Sequence, residues 1–434
     1  MALRKIHKAI CCMVLTFIVA FIGKSATGPV VKVVVISKSE DFFAKVRTSH
    51  IIYDIQCVVD LESQAIQIPS NCVLRFSAGM IKNGTLIGDG TFVENPSNLV
   101  IFDQIDIPDK AYQFINESIY VDWFSGKSDA DKIQAAFDFA EKNRTPVSFL
   151  SREYVLDHTV TISMGNIVMK GTGGGGEYCD MGTKIVSSAT FTSSYEKNPL
   201  FYVRGEPKKR GATTGVISGR ITGITFSTSR RHDVFHFYLA SGPSRPLFID
   251  HCSFLNCGTA LRILDNGVSS SLGFLYVENC TMVGNKWNIV AHGRHSLMGL
   301  YFCKNVAEQC DGNINLGYSE NYSTKPYESP APKAEDFAAS ANIVISDNLL
   351  EGTVDCIYIN GGKCVVNIER NYFETSRKQF VILSFSNPNS VVTFENNYIS
   401  EKEDVFLQLR NCQYSLQKNY AASSLKTTNA TSMQ

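Results

Sequence analysis

One spacing pattern constrains the fold of this chain more than any other feature. An apolar residue is followed, three positions later, by a residue whose copies recur at intervals of 22 to 28 residues, with one interval of 43. The recurring residues are Ile224, Cys252, Cys280, Asn305, Asn348, Asn371, Asn397 and Asn419. Short strands repeated at this period predict the stacked coils of a β-solenoid. We expect the five asparagines to stack in one turn and bond to each other and to the turn backbone, with the two cysteines as apolar members of the column.

The sequence also indicates how the chain is divided into segments. We expect a signal peptide at 1–26, a strand-rich N-terminal region at 27–120, a capping-helix segment at 121–144, and the solenoid at 145–434. Within the third segment, Asp129 to Lys142 has helical periodicity, and Ser128 is a suitable N-cap. A polar segment at 317–342 accounts for the long interval. We interpret this insertion either as a lid or specificity loop beside a groove, or as a tolerated surface insertion.

The N-terminus predicts export. Arg4, Lys5 and Lys8 precede an apolar run from Ala9 to Ile22, which is the order of charges and apolar residues in a secretory leader. The run is short for a membrane span, so no transmembrane span is expected in the mature chain. We therefore expect a secreted monomer in the periplasm, at the cell surface or outside the cell.

Composition removes several classes of partner and site. Lys plus Arg and Asp plus Glu both number 41, so no overall field attracts nucleic acid, and no nucleic-acid partner is expected. The 13 cysteines lack close CxxC pairs, which argues against a zinc site or a regular disulfide framework. We predict no protein metal site, and we expect cysteines of the repeat to act as small buried apolar residues.

Three further segments extend the pattern upstream: "CVLRFSAGMIKNGTLIGDGTFV" from Cys72, "VDWFSGKSDADKIQAAFDFA" from Val121, and "TPVSFLSREYVLDHTVTISMGNIVMKGTGGGG" from Thr145. With the asparagine column, they resemble the pectate lyase superfamily, in its secreted bacterial form. The resemblance implies an all-β, single-stranded right-handed parallel β-helix with a capping helix. It also implies a carbohydrate-active protein. The family carries a passage with paired aspartates after the tryptophan. In this chain that passage is shortened to "SGKSDADK", so the resemblance indicates the fold better than any particular enzyme.

Two groups of residues compete as the functional site. Asp250 and His251 lie beside Cys252, but both fall in polar columns of the repeat, so we interpret them as routine strand-end positions. The other group faces outward from the strand that would line a groove. Its candidate catalytic residues are His292, Arg294, Tyr358 and Arg262. Its candidate substrate-binding residues are Tyr202, Tyr238, Asn315, Tyr318, Asn360 and Lys363.

The residues of the groove favour one reaction. Glycoside hydrolysis needs two opposed carboxyl groups, and near the groove the sequence offers only Asp265, Asp311 and Asp355. "VDCIYIN" resembles a polygalacturonase motif but begins with Val354 where that family has aspartate, so a hydrolase is less favoured. β-Elimination from a uronic acid needs one base and a cation or donor that neutralises the carboxylate.

We expect an anionic polysaccharide as substrate, with His292 or Tyr358 as the base. Arg262, Arg294 or bound Ca²⁺ would neutralise the carboxylate, and the sequence leaves any cofactor unknown. The alternative is a non-catalytic carbohydrate-binding or surface β-helix protein.

Overall fold

The protein is an almost entirely β structure built from parallel strands. A computed structural model describes residues 32–163, 165–173, 182–204, 217–238, 245–264, 272–291, 297–317, 342–351, 355–374, 379–399, 405–419, 423–428 and 430–433. The expected leader at 1–26 and most of the insertion at 317–342 lie outside these residues. Within the described part of the chain, no helix is long and apolar enough to cross a membrane.

The N-terminal region consists of short stacked coils rather than unrelated strands. One sheet contains β1 (Val33–Ile36), β2 (Ile52–Ile55), β5 (Val73–Phe76) and β7 (Phe92–Glu94), in that order. The other contains β3 (Val58–Asp60), β4 (Ala65–Gln67), β6 (Met80–Ile87) and β8 (Phe102–Asp106). A short helix that the sequence pattern did not predict, α1 (Ser39–Lys45), follows β1. Parallel bridges from Thr91 to Phe114 and from Phe102 to Phe124 continue the stacking toward the longer coils.

A second helix, α2 (Asp129–Asn143), covers the first long coil as expected. The Ser128 side chain accepts from the Asp131 backbone N–H, and the Asp131 carboxylate accepts from the Ser128 N–H. This reciprocal pair satisfies two donors that a helix start otherwise leaves open. The predicted inner face of the helix is buried, with Ile133 and Phe137 at most 1% exposed. The chain reaches the helix through β9 (Ile119–Tyr120) and a 3₁₀ turn, Val121–Trp123.

The long coils form three parallel sheets. The first, of twelve strands, comprises β9, β10 (Val147–Ser148), β13 (Asn166–Lys170), β16 (Ser218–Thr222), β19 (Leu247–Asp250), β22 (Leu272–Glu278), β25 (Leu297–Cys303), β28 (Asn342–Ser346), β31 (Val365–Glu369), β34 (Val391–Glu395), β37 (Gln413–Gln417) and β39 (Thr431–Ser432). The second, of nine strands, comprises β11 (Glu153–His158), β14 (Thr183–Thr192), β17 (Ile224–Ser227), β20 (Ser253–Leu255), β23 (Thr281–Val283), β26 (Val306–Glu308), β29 (Leu349–Glu351), β32 (Tyr372–Glu374) and β35 (Tyr398–Ile399).

The third sheet, of ten strands, comprises β12 (Val160–Ile162), β15 (Phe201–Arg204), β18 (Phe235–Tyr238), β21 (Thr259–Leu264), β24 (Trp287–Ala291), β27 (Gly312–Leu316), β30 (Asp355–Gly361), β33 (Gln379–Phe385), β36 (Val405–Arg410) and β38 (Ser423–Thr428). From β10 to β36 each coil contributes one strand to each sheet in turn, whereas β9, β37, β38 and β39 belong to incomplete coils at the two ends. This is a parallel β-helix, and the apolar side chains that point inward from all three sheets form one continuous core.

The predicted asparagine ladder is present between the first and second sheets. The Nδ2 of Asn348 donates to the Phe302 carbonyl at 2.9 Å and to Asn371 Oδ1 at 2.8 Å. The Sγ atoms of Cys252 and Cys280 contact the equivalent carbonyls of Ile221 and Ile249, each at 3.6 Å. Both cysteines are buried, as expected for members of the same column. The ladder satisfies buried turn backbone that would otherwise lack partners.

The residue before each ladder position turns the chain. From Gly223 to Lys418 this column has φ between 50° and 70°, in the left-handed region. Its members are Gly223, His251, Asn279, Lys304, Asp347, Arg370, Asn396 and Lys418. A sharp left-handed residue in each of these coils explains how the chain turns as it leaves the strands of the first sheet. His251 is therefore a turn position of the repeat.

Candidate functional site

The outer face of the ten-stranded sheet presents one side chain per coil in a continuous column, here called the central column. Strand alternation points the side chains on either side of each member inward, so the column itself points away from the core. The backbone pairings align Tyr202, His236, Arg262, Val290, Asn315, Tyr358, Ile382 and Gln408. Four of them, Tyr202, Arg262, Asn315 and Tyr358, were predicted to face outward. Tyr238 was predicted beside them, but it pairs with Leu264, so the column residue next to Arg262 is His236.

Most of the central column is buried. Arg262 is 4% exposed, His236 2%, and Tyr358 and Asn315 0%. These side chains were expected to be in solvent because they point outward. The expectation was wrong, because strand alternation fixes only the direction in which a side chain points and not its exposure. The buried column therefore combines polar and apolar groups that must satisfy one another.

Its polar part is a network around Asp233, in the turn before β18. Asp233 Oδ2 accepts from Arg262 Nε at 2.6 Å and lies 2.9 Å from His236 Nε2. Asp233 Oδ1 accepts from the Thr259 backbone N–H at 2.7 Å, and Arg262 also donates to the Thr259 hydroxyl at 2.8 Å. All four residues are at most 4% exposed. A buried carboxylate is held here by an imidazole, a guanidinium and a backbone amide.

The charges of the network follow from this geometry. Burial opposes ionisation of Asp233, but the hydrogen bond with His236 and the charge of Arg262 outweigh it, and the pKa of Asp233 lies below its ordinary value. Burial lowers the pKa of His236, and the hydrogen bond to Asp233 offsets this only in part. At neutral pH the imidazole is therefore neutral. Because a carboxylate only accepts, the Nε2 of His236 carries its proton, and Nδ1 is left as a basic nitrogen.

Tyrosines lie next to this network at a more accessible part of the same face. The ring of Tyr202 stacks on Tyr195 with centroids 3.8 Å apart and lies 6.1 Å from the ring of Tyr238. All three are partly exposed, and Arg204 at the end of β15 is exposed. Burial and the neighbouring tyrosines raise the pKa of Tyr202 to about 12, so the phenol keeps its proton at neutral pH. The group offers ring surface, hydroxyls and one cation.

The other end of the central column is apolar. Tyr358 packs with Trp287, Val290 and Ile382 in a cluster separate from the main core. The Tyr358 ring centroid lies 5.9 Å from that of Trp287, and the indole occupies space that a Cβ at Gly312 would fill. Tyr358 therefore has a packing role in this structure, which makes it a poorer candidate base than His236.

The remaining predicted site residues fall into three groups. Asn315 and Asn360 are buried on the same face. Lys363 is exposed in the turn after β30. His292, Arg294 and Tyr318 lie outside the described residues, as does Asp265.

Other candidate acids and metal sites add little. Asp311 contacts Arg230 through its carboxylate. Among the described residues, no group of three or more metal-ligating side chains converges.

Sequence reasoning missed Asp233 and His236, the central groups of the network. One signal could have located His236. "DVFHFY" aligns with the neighbouring coils when Phe235 and Phe237 take the inward positions, which places His236 beside Arg262. The Asp233 side chain lies in a turn, where a period-two pattern has no predictive value.

The Asp250–His251 pair lies on a different sheet, as expected. Asp250 Oδ2 is 2.5 Å from the Arg220 guanidinium, and His251 Nδ1 is 3.4 Å from the other carboxylate oxygen. The His251 side chain is 64% exposed. The Asp250 carboxylate is therefore neutralised by neighbouring side chains, and the pair needs no catalytic role to explain it.

The outer face of the twelve-stranded sheet carries another aromatic group. Tyr276 stacks on Phe248 at 4.7 Å and on Tyr301 at 4.5 Å between ring centroids. The middle ring is covered on both faces, as Tyr202 is between Tyr195 and Tyr238, so ring access does not distinguish the two groups. The ten-stranded sheet remains the better candidate site because its tyrosines lie beside the buried network, with the rings of Tyr202 and His236 6.5 Å apart.

Comparisons with known proteins identify no family. No protein-family model and no curated protein matches the chain. Among solved structures, it is similar to a chain described as "Geobacillus virus E2 - ORF18", with 11% identity and a TM-score of 0.28. The similarity covers 72% of this chain and 61% of that one.

Proposed function

We propose that the protein is an exported, carbohydrate-active β-helix protein of the pectate lyase superfamily type that cleaves a uronic-acid polysaccharide by β-elimination. The observation that carries the proposal is the tyrosine group beside the Asp233–His236–Arg262 network on one sheet face. Tyrosine rings suit sugar faces, and a guanidinium suits a uronate carboxylate. The sequence resemblance and the leader at 1–26 supply the expectation of export.

The proposed chemistry assigns two roles. Arg262 would neutralise the uronate carboxylate, which makes the adjacent C–H bond more acidic. His236, neutral at neutral pH, would accept that proton at Nδ1, while Asp233 holds the imidazole through Nε2. The electron pair of the C–H bond then forms a double bond to the next carbon as the glycosidic oxygen leaves. Water protonates the leaving oxygen.

A second candidate is a non-catalytic carbohydrate-binding protein, favoured by the burial of His236 and Arg262. A catalytic group must touch its substrate, and these side chains are 2% and 4% exposed. Under this alternative, the network only stabilises the coils beneath a tyrosine-lined binding surface.

One set of assays separates the two functions. The full chain is incubated with polygalacturonate, alginate and hyaluronate, and the ultraviolet absorbance of unsaturated uronate ends is followed. We expect unsaturated product from one polymer, and its loss in His236→Gln and Arg262→Lys but not in His251→Ala. Binding by calorimetry without any product selects the non-catalytic function. New reducing ends without unsaturation would show hydrolysis and overturn the proposal.

A further inference from the structure

The ten-stranded sheet carries an exposed arginine beside its tyrosines, two coils away from Arg262. Tyr202 and Arg204 of β15 both face outward, as do His236 and Tyr238 of β18, because residues two positions apart on a strand share a face. The pairing of the two strands sets Arg204 directly opposite Tyr238. Arg204 is exposed, whereas Arg262 is buried. The two guanidinium groups therefore differ in their access to a ligand.

The two arginines also differ in charge balance. The charge of Arg262 is neutralised by Asp233 within the buried network. Arg204 forms no ion pair with a carboxylate among the described residues, and this includes Glu196 in the segment before β15. Burial and the neighbouring tyrosines raise the pKa of Tyr202, and Arg204 opposes that rise, as a cation beside the phenol does. The tyrosine group therefore has a positive charge next to it that can attract an anion.

Hydrogen bonds hold the tyrosines beside Arg204 in place. Tyr195 stacks on Tyr202 with centroids 3.8 Å apart, and its hydroxyl lies 3.2 Å from the Thr161 hydroxyl. The Thr161 backbone is fixed to α2, since its N–H donates to Gln134 Oε1 at 2.8 Å and its carbonyl accepts from Gln134 Nε2 at 2.9 Å. Groups that are ordered before binding lose little conformational entropy when a ligand arrives. The tyrosines therefore offer a sugar an ordered surface beside the arginine.

We propose that Arg204, Tyr202 and Tyr238 form a subsite for a second carboxylated sugar of the substrate, separate from the sugar that Arg262 would hold. Arg204 would bind the carboxylate through two parallel N–H donors, and the tyrosines would contact the sugar ring and its hydroxyls. Two coil spacings of about 4.8 Å separate the strands of the two arginines, so each would bind a different sugar of one chain. The inference rests on the proposed function and makes Arg204 the residue that selects acidic chains over neutral or esterified ones.

Calorimetry with the full chain tests the subsite. The probes are oligosaccharides of galacturonate, alginate and hyaluronate, each in its acid form and as the methyl ester, which keeps the sugar rings but removes the charge. We expect the acid form of one of them to bind roughly tenfold more tightly than its ester, as for a hydrogen bond between charged groups. The wild type and His236→Gln are both titrated, because cleavage would consume the probe in the wild type.

Three variants assign the charge preference to Arg204. Arg204→Gln should lower affinity for the acid form roughly tenfold and leave affinity for the ester unchanged, because only the charged partner is lost. Arg204→Lys keeps the charge without the paired donors, so its affinity should lie between those of the wild type and Arg204→Gln. Arg47→Gln, an equal loss of charge at an exposed position of the N-terminal region, is the control and should leave both affinities unchanged. Circular dichroism and Tm confirm that each variant is folded.

Kinetics with the cleaved polymer separate the subsite from the reaction. Arg204→Gln should raise KM about tenfold with kcat unchanged, since its contact is equally present before and during the reaction. Arg204-dependent binding without unsaturated product would support the subsite and reject the lyase activity. Equal affinity of the acid form for the wild type and folded Arg204→Gln, equal affinity of the acid and ester forms, or no saturable binding would each overturn the inference.

Discussion

Asp233 and Arg262 form a buried ion pair of 2.6 Å between adjacent coils, although they are 29 residues apart in the sequence. The pair lies outside the main core, on the outer face of the ten-stranded sheet. Both side chains are 5% exposed, so each depends on the other for its charge to be tolerated. Breaking this pair should therefore change the stability of the protein more than breaking an exposed ion pair would.

Removing one partner should therefore be costly. We expect Asp233→Ala to lower the free energy of unfolding by about 3–5 kcal/mol, because Arg262 would remain buried without its carboxylate. Urea denaturation measures this change. The matched control is Glu153→Ala, which breaks the Lys184–Glu153 pair on the surface of a regular strand. That variant should lose about 0–1 kcal/mol. Equal losses in the two variants would contradict the argument.

The same network predicts a pH dependence. The pKa of His236 in the folded protein lies below its ordinary value of 6.5, so the unfolded chain binds a proton that the native state does not. The stabilisation is present above pH 6.5 and is lost as pH falls toward the folded pKa. Asp233 adds a second loss below 3.8, because its pKa is also lowered. Tm measured across this range should fall more steeply for the wild type than for His236→Gln between pH 7 and 5. Parallel curves would show that His236 does not titrate as described.

The asparagine ladder predicts that replacing one of its members lowers the stability of the fold. Asn371 donates to the Ile345 carbonyl and to Asn397, and its Oδ1 accepts from Asn348. Replacement by alanine leaves buried groups without partners, so Asn371→Ala should lose about 1–3 kcal/mol. Asn367→Ala, in the same coil but facing outward, is the control and should change stability little. Chemical denaturation of both variants provides the comparison.

The left-handed turn column predicts opposite effects at a single position. His251 has φ of 50°, which glycine adopts freely and β-branched residues resist. His251→Val should destabilise by about 1–2 kcal/mol, whereas His251→Gly should be near neutral or slightly stabilising. Thermal unfolding of the two variants tests this, and a better-tolerated valine would refute the turn assignment. Unsaturated product from uronate polymers should form equally in both variants.

The buried thiols predict slow chemical modification. Nine of the described cysteines are thiols rather than disulfides, and burial raises the pKa of Cys280 and Cys364 to about 12. A thiol reacts as its thiolate, so these should resist N-ethylmaleimide in the folded protein. The partly exposed Cys57 and Cys303 should react first. Peptide mapping before and after denaturation measures the order. Rapid native labelling of Cys280 would be inconsistent with its position in the ladder.

The sequence predicted the coils well because each one repeats the same local constraint. Ladder residues such as Asn348 stand three positions after an inward apolar residue in every coil, and any error in register would break the series. The coils of the N-terminal region, at Ile52 and Val73 for example, lack such a residue, so only their strand content was predicted.

The candidate site was harder to predict because its main groups do not follow the repeat. Asp233 lies in a turn, and the burial of Arg262 depends on the surroundings of the strand rather than on its alternation. Tyr358 shows the same limit, since its outward direction was expected but its packing against Trp287 depends on the space at Gly312. Periodicity thus located the face without identifying its chemistry.

The Asn305–Asn348 rung has a practical consequence for engineering. Asn305 N–H donates to Asn348 Oδ1 at 2.8 Å across 43 residues, with nearly the same geometry as rungs closed by 22 to 26 residues. The rise from one coil to the next is therefore independent of how much chain is inserted between them. Foreign peptides could be grafted at 317–342 as on a display scaffold, with rung geometry kept as the criterion for a successful graft.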